Sequence, residues 1–321
     1  MEDIRDDFLA NAVKRLGNLH VPSRRHGNVC VLSSPRSGST WLMELILTQK
    51  WFKPCNEPLN LRKPAISRRF GSSNWADLYS ESQQHKVGHY LQSFLTNRYS
   101  AAFKNLRIGQ KHYRPITRRI VFKILHACEH NVSWLARVLN AKVVLLIRHP
   151  IPVALSREQL PRLHVFLNSD FTELLTSSQR SIARHVLDRN DRFELAILDW
   201  CLQNVLPLQQ ARNSLLVLTY EQLVLDPQPA LERLVTYLDL DSLDRMLESI
   251  TRPSGSVSKS SAETASFLES QSGKKDRMWL IDKWRKRVSV DQERELMQIV
   301  ADFGIDVYRA GDSVPDSAYW L

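Results

Sequence analysis

Apolar positions along the 321-residue chain fall into blocks of two kinds. One kind is short and nearly continuous: Val29-Cys30-Val31-Leu32, Ile120–Ile124, Lys142–Ile147 (KVVLLI) and Leu215–Thr219 (LLVLT). Such brief, β-branched or leucine-rich runs, bounded by polar and turn-forming residues, predict strands buried on both faces. The other kind recurs every three or four positions. Ile4, Phe8, Ala12 and Leu16 form one such series, Trp41, Leu42, Leu45 and Ile46 another, and Val132–Leu139 and a long stretch around Phe193–Gln210 continue it. These predict helices. Strands alternating with helices predict an α/β fold, a three-layer arrangement with a central, mostly parallel sheet of about five strands. Ser289, with Gln292 three residues on, predicts the capped start of a last helix that Gly304 ends.

Two stretches break the pattern. Residues 60–118 carry many Arg, His, Ser and aromatic side chains with little periodicity, and are expected to be helices and loops inserted over the sheet. Residues 251–275 (TRPSGSVSKSSAETASFLESQSGKK) are Ser-rich with Pro and Gly, the composition of a flexible loop, expected over the active site. No repeat period and no clear linker appear, so residues 1–321 are expected to form one domain, with 1–27 as an amino-terminal helical segment.

Composition narrows the partners rather than the fold. Hydrophobic residues make up 43% and charged residues 24%, ordinary globular usage, so no disordered or fibrous class applies. The 44 Lys and Arg outnumber the 34 Asp and Glu, a net charge of +10, which predicts an anionic ligand without choosing one. Cys30, Cys55, Cys128 and Cys201 stand far apart with no C-x-x-C pair, so neither a disulfide framework nor a zinc site is expected. His85 and His89 could share a helix face, and His126, Cys128 and His130 lie close in sequence, but no further ligand completes either set; no metal is expected. The acidic, then amphipathic, amino terminus lacks the order of a secretory leader, and no apolar run approaches the ~20 residues that span a bilayer. The expectation is a cytoplasmic protein without a membrane span.

The most informative stretch is Ser33-Ser34-Pro35-Arg36-Ser37-Gly38-Ser39-Thr40-Trp41, between a predicted strand and a predicted helix. A chain turning through glycine into a helix presents free backbone N–H groups, backed by the helix dipole, to a phosphate. Arg36 adds a forked cation, and Ser39 and Thr40 add hydroxyls. The nucleotide-triphosphatase pattern G-x-x-x-x-G-K-[ST] is absent, since no lysine follows Gly38. A second element leaves the end of the Lys142–Ile147 strand: Arg148-His-Pro-Ile-Pro-Val-Ala-Leu-Ser156-Arg157. Arg148 stands where open α/β sheets bind ligands, and Ser156 follows eight residues, about two helical turns, later.

Together these stretches resemble the sulfotransferases that use 3′-phosphoadenosine 5′-phosphosulfate (PAPS) and release PAP. In that family P-[KR]-S-G-[ST]-[ST]-[WL] holds the 5′-phosphosulfate, and an Arg and a Ser eight residues apart hold the 3′-phosphate. Tyr220-Glu-Gln-Leu-Val-Leu-Asp226-Pro227 is similar to the family's Y-E-x-L-x-x-D-P segment, and Lys283-Trp284-Arg285-Lys286 to its late basic stretch. The resemblance runs from about residue 28 to 305 and implies a P-loop-like fold. It implies cofactor contacts from Arg36, Ser37, Gly38, Ser39, Thr40, Trp41, Lys123, Arg148, Ser156, Tyr220 and Lys283, with Trp41 and Tyr220 near the adenine. Trp41 serves equally well as a core-facing helix residue. Arg36 takes the place of the family's usual lysine and stabilises the bridging oxygen electrostatically, since a guanidinium does not give up its proton.

The resemblance also implies transfer to a hydroxyl of a carbohydrate or other small molecule, in line, with a general base. Two candidates compete. Glu57, in Pro54-Cys-Asn-Glu57-Pro58, lies 21 residues after Arg36, where carbohydrate and tyrosyl-protein members carry a glutamate. His126 follows Lys123 as K-x-x-H, one residue longer than the K-x-H of the aryl and steroid members, and this departure favours Glu57. Two other readings stand beside it. A nucleotide kinase would share the fold, but the Walker lysine and a strand-end Asp for Mg²⁺ are missing. A non-enzymatic binder of acidic polymers would explain the charge but not the two phosphate loops; no nucleic-acid partner is expected.

Overall fold

The computed structural model describes residues 19–23, 25–96, 113–252 and 274–320. The sheet has five strands: β1 (Asn28–Ser33), β2 (Phe52–Asn56), β3 (Arg119–Ile124), β4 (Ala141–Ile147) and β5 (Leu215–Thr219). Their order is β2-β3-β1-β4-β5, and every pairing is parallel. The four apolar runs became the four strands predicted, within a residue at each end. The fifth, β2, carries Lys53 and Pro54 and gave no apolar signal. Proline has no N–H for a ladder, and β2 lies on the sheet edge, paired only to β3, where that lack is tolerated. Leu19–His20 and Ile116–Thr117 form a separate two-stranded parallel pair.

Side chains alternate between faces along each strand. Val29, Val31, Val121, Val144 and Leu146 point into one apolar cluster with α1 (Ser39–Ile46). Cys30, Leu32, Ile120, Phe122 and Leu145 point into the other, larger one. That cluster is covered by α2 (Pro64–Phe70), α3 (Glu81–Leu95) and α4 (Val132–Leu139), and by the long helix of Arg192–Ser214. Beyond β4 the chain runs through α5 (Pro150–Ala154), α6 (Pro161–Asn168) and α7 (Ser177–Arg189) into α8 (Arg192–Ser214). After β5 come α9 (Tyr220–Leu225), α10 (Pro227–Leu238), α11 (Lys274–Asp282) and α12 (Val290–Asp302). Helices on both faces of a parallel sheet are the three predicted layers. All four cysteines are buried and unpaired, and burial raises their thiols above the ordinary range.

The stretch 60–118 contains α2, a 3₁₀ turn at Trp75–Tyr79 and α3, with 97–112 outside the described residues. The expected amino-terminal helix and nearly all of the Ser-rich 251–275 stretch also lie outside them. The last helix starts as expected: Ser289 Oγ accepts from Gln292 N–H at 3.2 Å. Gly304 then turns the chain with φ +78°. Among the described residues no helix is long and apolar enough to cross a membrane.

Candidate active site

The carboxyl ends of β1, β3 and β4 lie side by side, so the loops that leave them converge. From β1, the chain passes Arg36 at φ 74° and Gly38 at φ 90° before α1 begins. A Cβ on Gly38 would stand 2.8 Å from the Tyr220 ring, so this position needs glycine for space as well as for its left-handed backbone. The loop is pegged from behind by α8, where Gln203 donates to the Ser33 carbonyl at 2.9 Å and Asn204 to Ser34 Oγ at 3.1 Å.

Arg148, leaving β4, turns onto this loop. Its Nη1 donates to the Arg36 carbonyl at 3.0 Å, and its guanidinium lies 4.2 Å from the centre of the Tyr220 ring. The Arg148 carbonyl accepts from Trp200 Nε1 at 3.1 Å. Two sequence elements 112 residues apart therefore share one corner of the molecule. Trp41 faces inward and meets Tyr220 edge-on at 5.9 Å, so it serves both the core and that corner. Ser156 lies past α5, its hydroxyl donating to the Pro152 and Val153 carbonyls at 3.0 Å. Lys283, one residue before the Trp284 that stacks on His149 next to Arg148, rests its Nζ 4.9 Å from the Trp279 ring.

The cleft itself holds about 520 Å³. Arg36, Gly38, Ser39 and Thr40 form one side. Glu57, Asn60, Arg62, Trp75, Lys123, His126, Ser156 and Arg157 continue around it. Sheet register explains its central pair. Lys123 pairs with Val31 on one side and Asn56 on the other, one residue before Glu57. Its side chain emerges on the α1 face, where Nζ meets Glu57 Oε1 at 2.8 Å and Thr40 Oγ1 at 2.9 Å. Glu57 Oε2 accepts from Asn60 Nδ2 at 2.6 Å. Burial raises the Glu57 carboxyl, but the Lys123 ammonium, with Asn60 and Lys63, outweighs it and holds the group below the usual carboxylate range. Glu57 is therefore ionised at neutral pH.

His126 sits across the cleft, its ring 5.1 Å from Trp75. Burial, reinforced by Arg162, Arg157, Arg62 and Lys123, keeps its pKa well below the ordinary value, so the imidazole is neutral. Its Nδ1 and the Trp75 indole nitrogen are buried without hydrogen-bond partners among the described residues. Arg36 and Glu57 in the cleft wall, and Ala127 next to His126 behind it, all hold positive φ, a strained backbone around the cleft.

Below the cleft runs a polar network that the sequence reading missed. Arg162 Nε contacts Glu129 Oε1 at 2.9 Å, and Arg162 N–H donates to Asp199 Oδ1 at 2.7 Å. Asp199 also pairs with Arg157 at 2.5 Å. Tyr79 hydrogen-bonds Glu129 and, through its hydroxyl, accepts from Ala127 N–H at 3.0 Å. Glu129, Arg162 and Asp199 are fully buried, and the network fixes the His126–Glu129 turn beneath the cleft. No spacing announces this network, because its members come from a 3₁₀ turn, a loop and two helices. Arg62, Asn60, Trp75, Arg157 and Gln159 were missed for the same reason, though Arg157 stands next to Ser156 in the second phosphate element.

The sulfotransferase family profile matches residues 28–245, about two thirds of the chain, and the chain belongs to that family. It is a sulfotransferase, an enzyme that transfers sulfuryl groups. No curated protein matches it. Among solved structures it is similar to the sulfotransferase domain from the curacin biosynthetic pathway, at 18% identity and a TM-score of 0.45, covering 88% of this chain and 99% of that one. It is also similar to the sulfotransferase domain of the Synechococcus PCC 7002 olefin synthase, at 20% identity and a TM-score of 0.45, covering 90% and 99%. A mouse sulfotransferase solved with PAP is 16% identical, with a TM-score of 0.42 and coverages of 90% and 88%.

Proposed function

We propose that this enzyme takes the sulfuryl group from PAPS and places it on a hydroxyl of a carbohydrate or other small molecule, in a single domain acting in the cytoplasm. The observation that carries the reading is the Arg148–Arg36 contact at 3.0 Å, which joins the two phosphate elements at one corner. The fit of the donor is supported by that corner's chemistry. Ser37 Oγ is buried without a partner among the described residues, the loop amides precede an α-helix, and Gly38 leaves no room for a side chain.

In this reading the amides of Ser37–Thr40 hold the 5′-phosphate, while Arg148 and Ser156 hold the 3′-phosphate and Tyr220 and Trp41 border the adenine. PAPS would supply an activated sulfuryl group whose departure leaves PAP. Arg36 and Lys123 stabilise negative charge on the bridging and peripheral oxygens as it develops. Glu57, ionised and on the loop facing Thr40, takes the proton of the acceptor hydroxyl. His126, neutral and in the same cleft, is the competing base. Lys283, one residue before the Trp284 that stacks on His149 beside Arg148, is the further cation assigned to the cofactor.

The test begins with binding. PAP is expected to raise the melting temperature, and Arg148→Ala to abolish that rise. Transfer is then read as a mass gain of about 80 Da on candidate acceptors, one SO₃ per hydroxyl. No thermal shift at millimolar PAP would overturn the donor assignment.

A further inference from the structure

We propose that the acceptor carries an anionic group, a carboxylate or sulfate, and that Arg62 receives it; this rests on the sulfotransferase reading and names its acceptor class. Four cations line the cleft: Arg36, Arg62, Lys123 and Arg157. Lys123 is spoken for by Glu57 and Thr40, and Arg157 by Asp199. Arg36 belongs to the phosphate loop. Arg62 alone stands on the far wall, exposed, with no carboxylate in ion-pair range among the described residues. Glu158, the other charged residue on that rim, makes no ion pair with it.

Arg62 is nonetheless held in place. Its Nε donates to Gln159 Oε1 at 2.9 Å, across the cleft mouth from the loop after β2 to the loop after α5. Gln159 is steadied in turn, its carbonyl accepting from Arg157 Nη2 at 3.1 Å. With Nε engaged, the two terminal nitrogens have no partner among the described residues. They offer the planar fork that matches a carboxylate or sulfate bidentately. A guanidinium fixed before binding loses less freedom on capturing an anion.

The position also fits the chemistry. Arg62 N–H donates to Asn60 Oδ1 at 3.1 Å, and Asn60 Nδ2 donates to Glu57 Oε2 at 2.6 Å. One hydrogen-bonded loop thus carries both the candidate base and the cation. An acceptor anchored by its acid group at Arg62 would present its hydroxyl a few atoms away, toward Glu57. Trp75, on the same wall, offers an apolar face for the intervening ring.

The experiment compares matched acceptors that differ by one charge, using labelled PAPS: p-nitrophenyl β-D-glucuronide against its glucuronamide, and 4-hydroxyphenylacetate against its amide. Calorimetric titration into PAP-loaded protein gives binding independently of turnover. The anionic member of at least one pair is expected to lead in kcat/KM by about 10- to 100-fold, the range for a charge-assisted bidentate contact. The two pairs distinguish a sugar acid from a phenolic acid. Arg62→Ala is expected to erase that preference and Arg62→Lys to keep part of it, with the PAP thermal shift retained in both. Equal use of the two members, or an equal loss on both in Arg62→Ala, would overturn the proposal. So would failure of PAP-loaded protein to bind or turn over any anionic member; the PAP thermal shift then tells whether the donor reading falls with it.

Discussion

The two sides of the cleft are built from different materials. The side formed by the β1–α1 loop and Arg148 rests on backbone: amides at a helix start, two positive-φ residues, and a guanidinium bonded to a carbonyl. The opposite side rests on side-chain pairs drawn from the loop after β2, the end of β3, the Trp75–Tyr79 turn and the loop after α5. A backbone site needs a short stretch of chain with a few special residues. A side-chain site needs partners that only folding brings together. The first suits a ligand with fixed phosphate groups, and the second can be rebuilt for a new acceptor without disturbing it.

The sharpest way to break the comparison is to remove the support of the side-chain wall. Arg162→Ala leaves Glu129 buried without its cation, while Asp199 keeps Arg157, and is expected to cost about 3–5 kcal/mol of stability by urea unfolding. If the loss is small, the network is not what holds the acceptor side. Next in size is the base. Glu57→Gln is expected to lower turnover by about 10²–10⁴-fold while the PAP thermal shift persists. His126→Asn, measured beside it, should fall less; the reverse order would give the role to the imidazole.

On the backbone side, Gly38→Ala forces a Cβ to 2.8 Å from Tyr220 in a left-handed conformation. The expected cost is about 1–3 kcal/mol, seen as a lower melting temperature and a weakened PAP response, with the Glu57–Lys123 pair untouched. The smallest effect is a pH slope. Burial, with Lys53 adding, lowers His20 to about 4, and burial lowers His149 to about 3 against the opposing backbone contact at Asp312. Unfolded imidazoles take up protons near 6.5, so below that pH the unfolded state binds more protons than the folded one. The contribution of these neutral histidines is complete above about 6.5 and declines as pH falls toward 4, at about 1.4 kcal/mol per pH unit for each. His149 also accepts from Ile151 N–H at the start of α5, which asparagine can do, so His149→Asn should flatten the urea-midpoint slope between pH 6.5 and 5.

Much of the scaffold was legible before folding was considered. Four apolar runs marked four of the five strands because a strand covered on both faces must be apolar throughout. Edge strand β2 escaped notice because one open edge tolerates Pro54 and a lysine. The β1–α1 turn was legible for a related reason: its glycine, serines and arginine fall within nine residues of chain. The buried network of Tyr79, Glu129, Arg162 and Asp199 shows the opposite case: its members stand far apart in sequence and meet only in the fold.

What the sequence determined by itself is therefore local: strand and helix periods, a turn that only glycine allows, and the paired phosphate elements that mark the family. Tertiary structure alone decided which carboxylate meets Lys123, that Arg148 closes on the Arg36 carbonyl, and that Arg62 has no counter-charge among the described residues. Backbone preferences and burial act over a few residues, so they are written in sequence order. Coulombic pairing acts across a few ångströms of space, and strand register sets which residues those are.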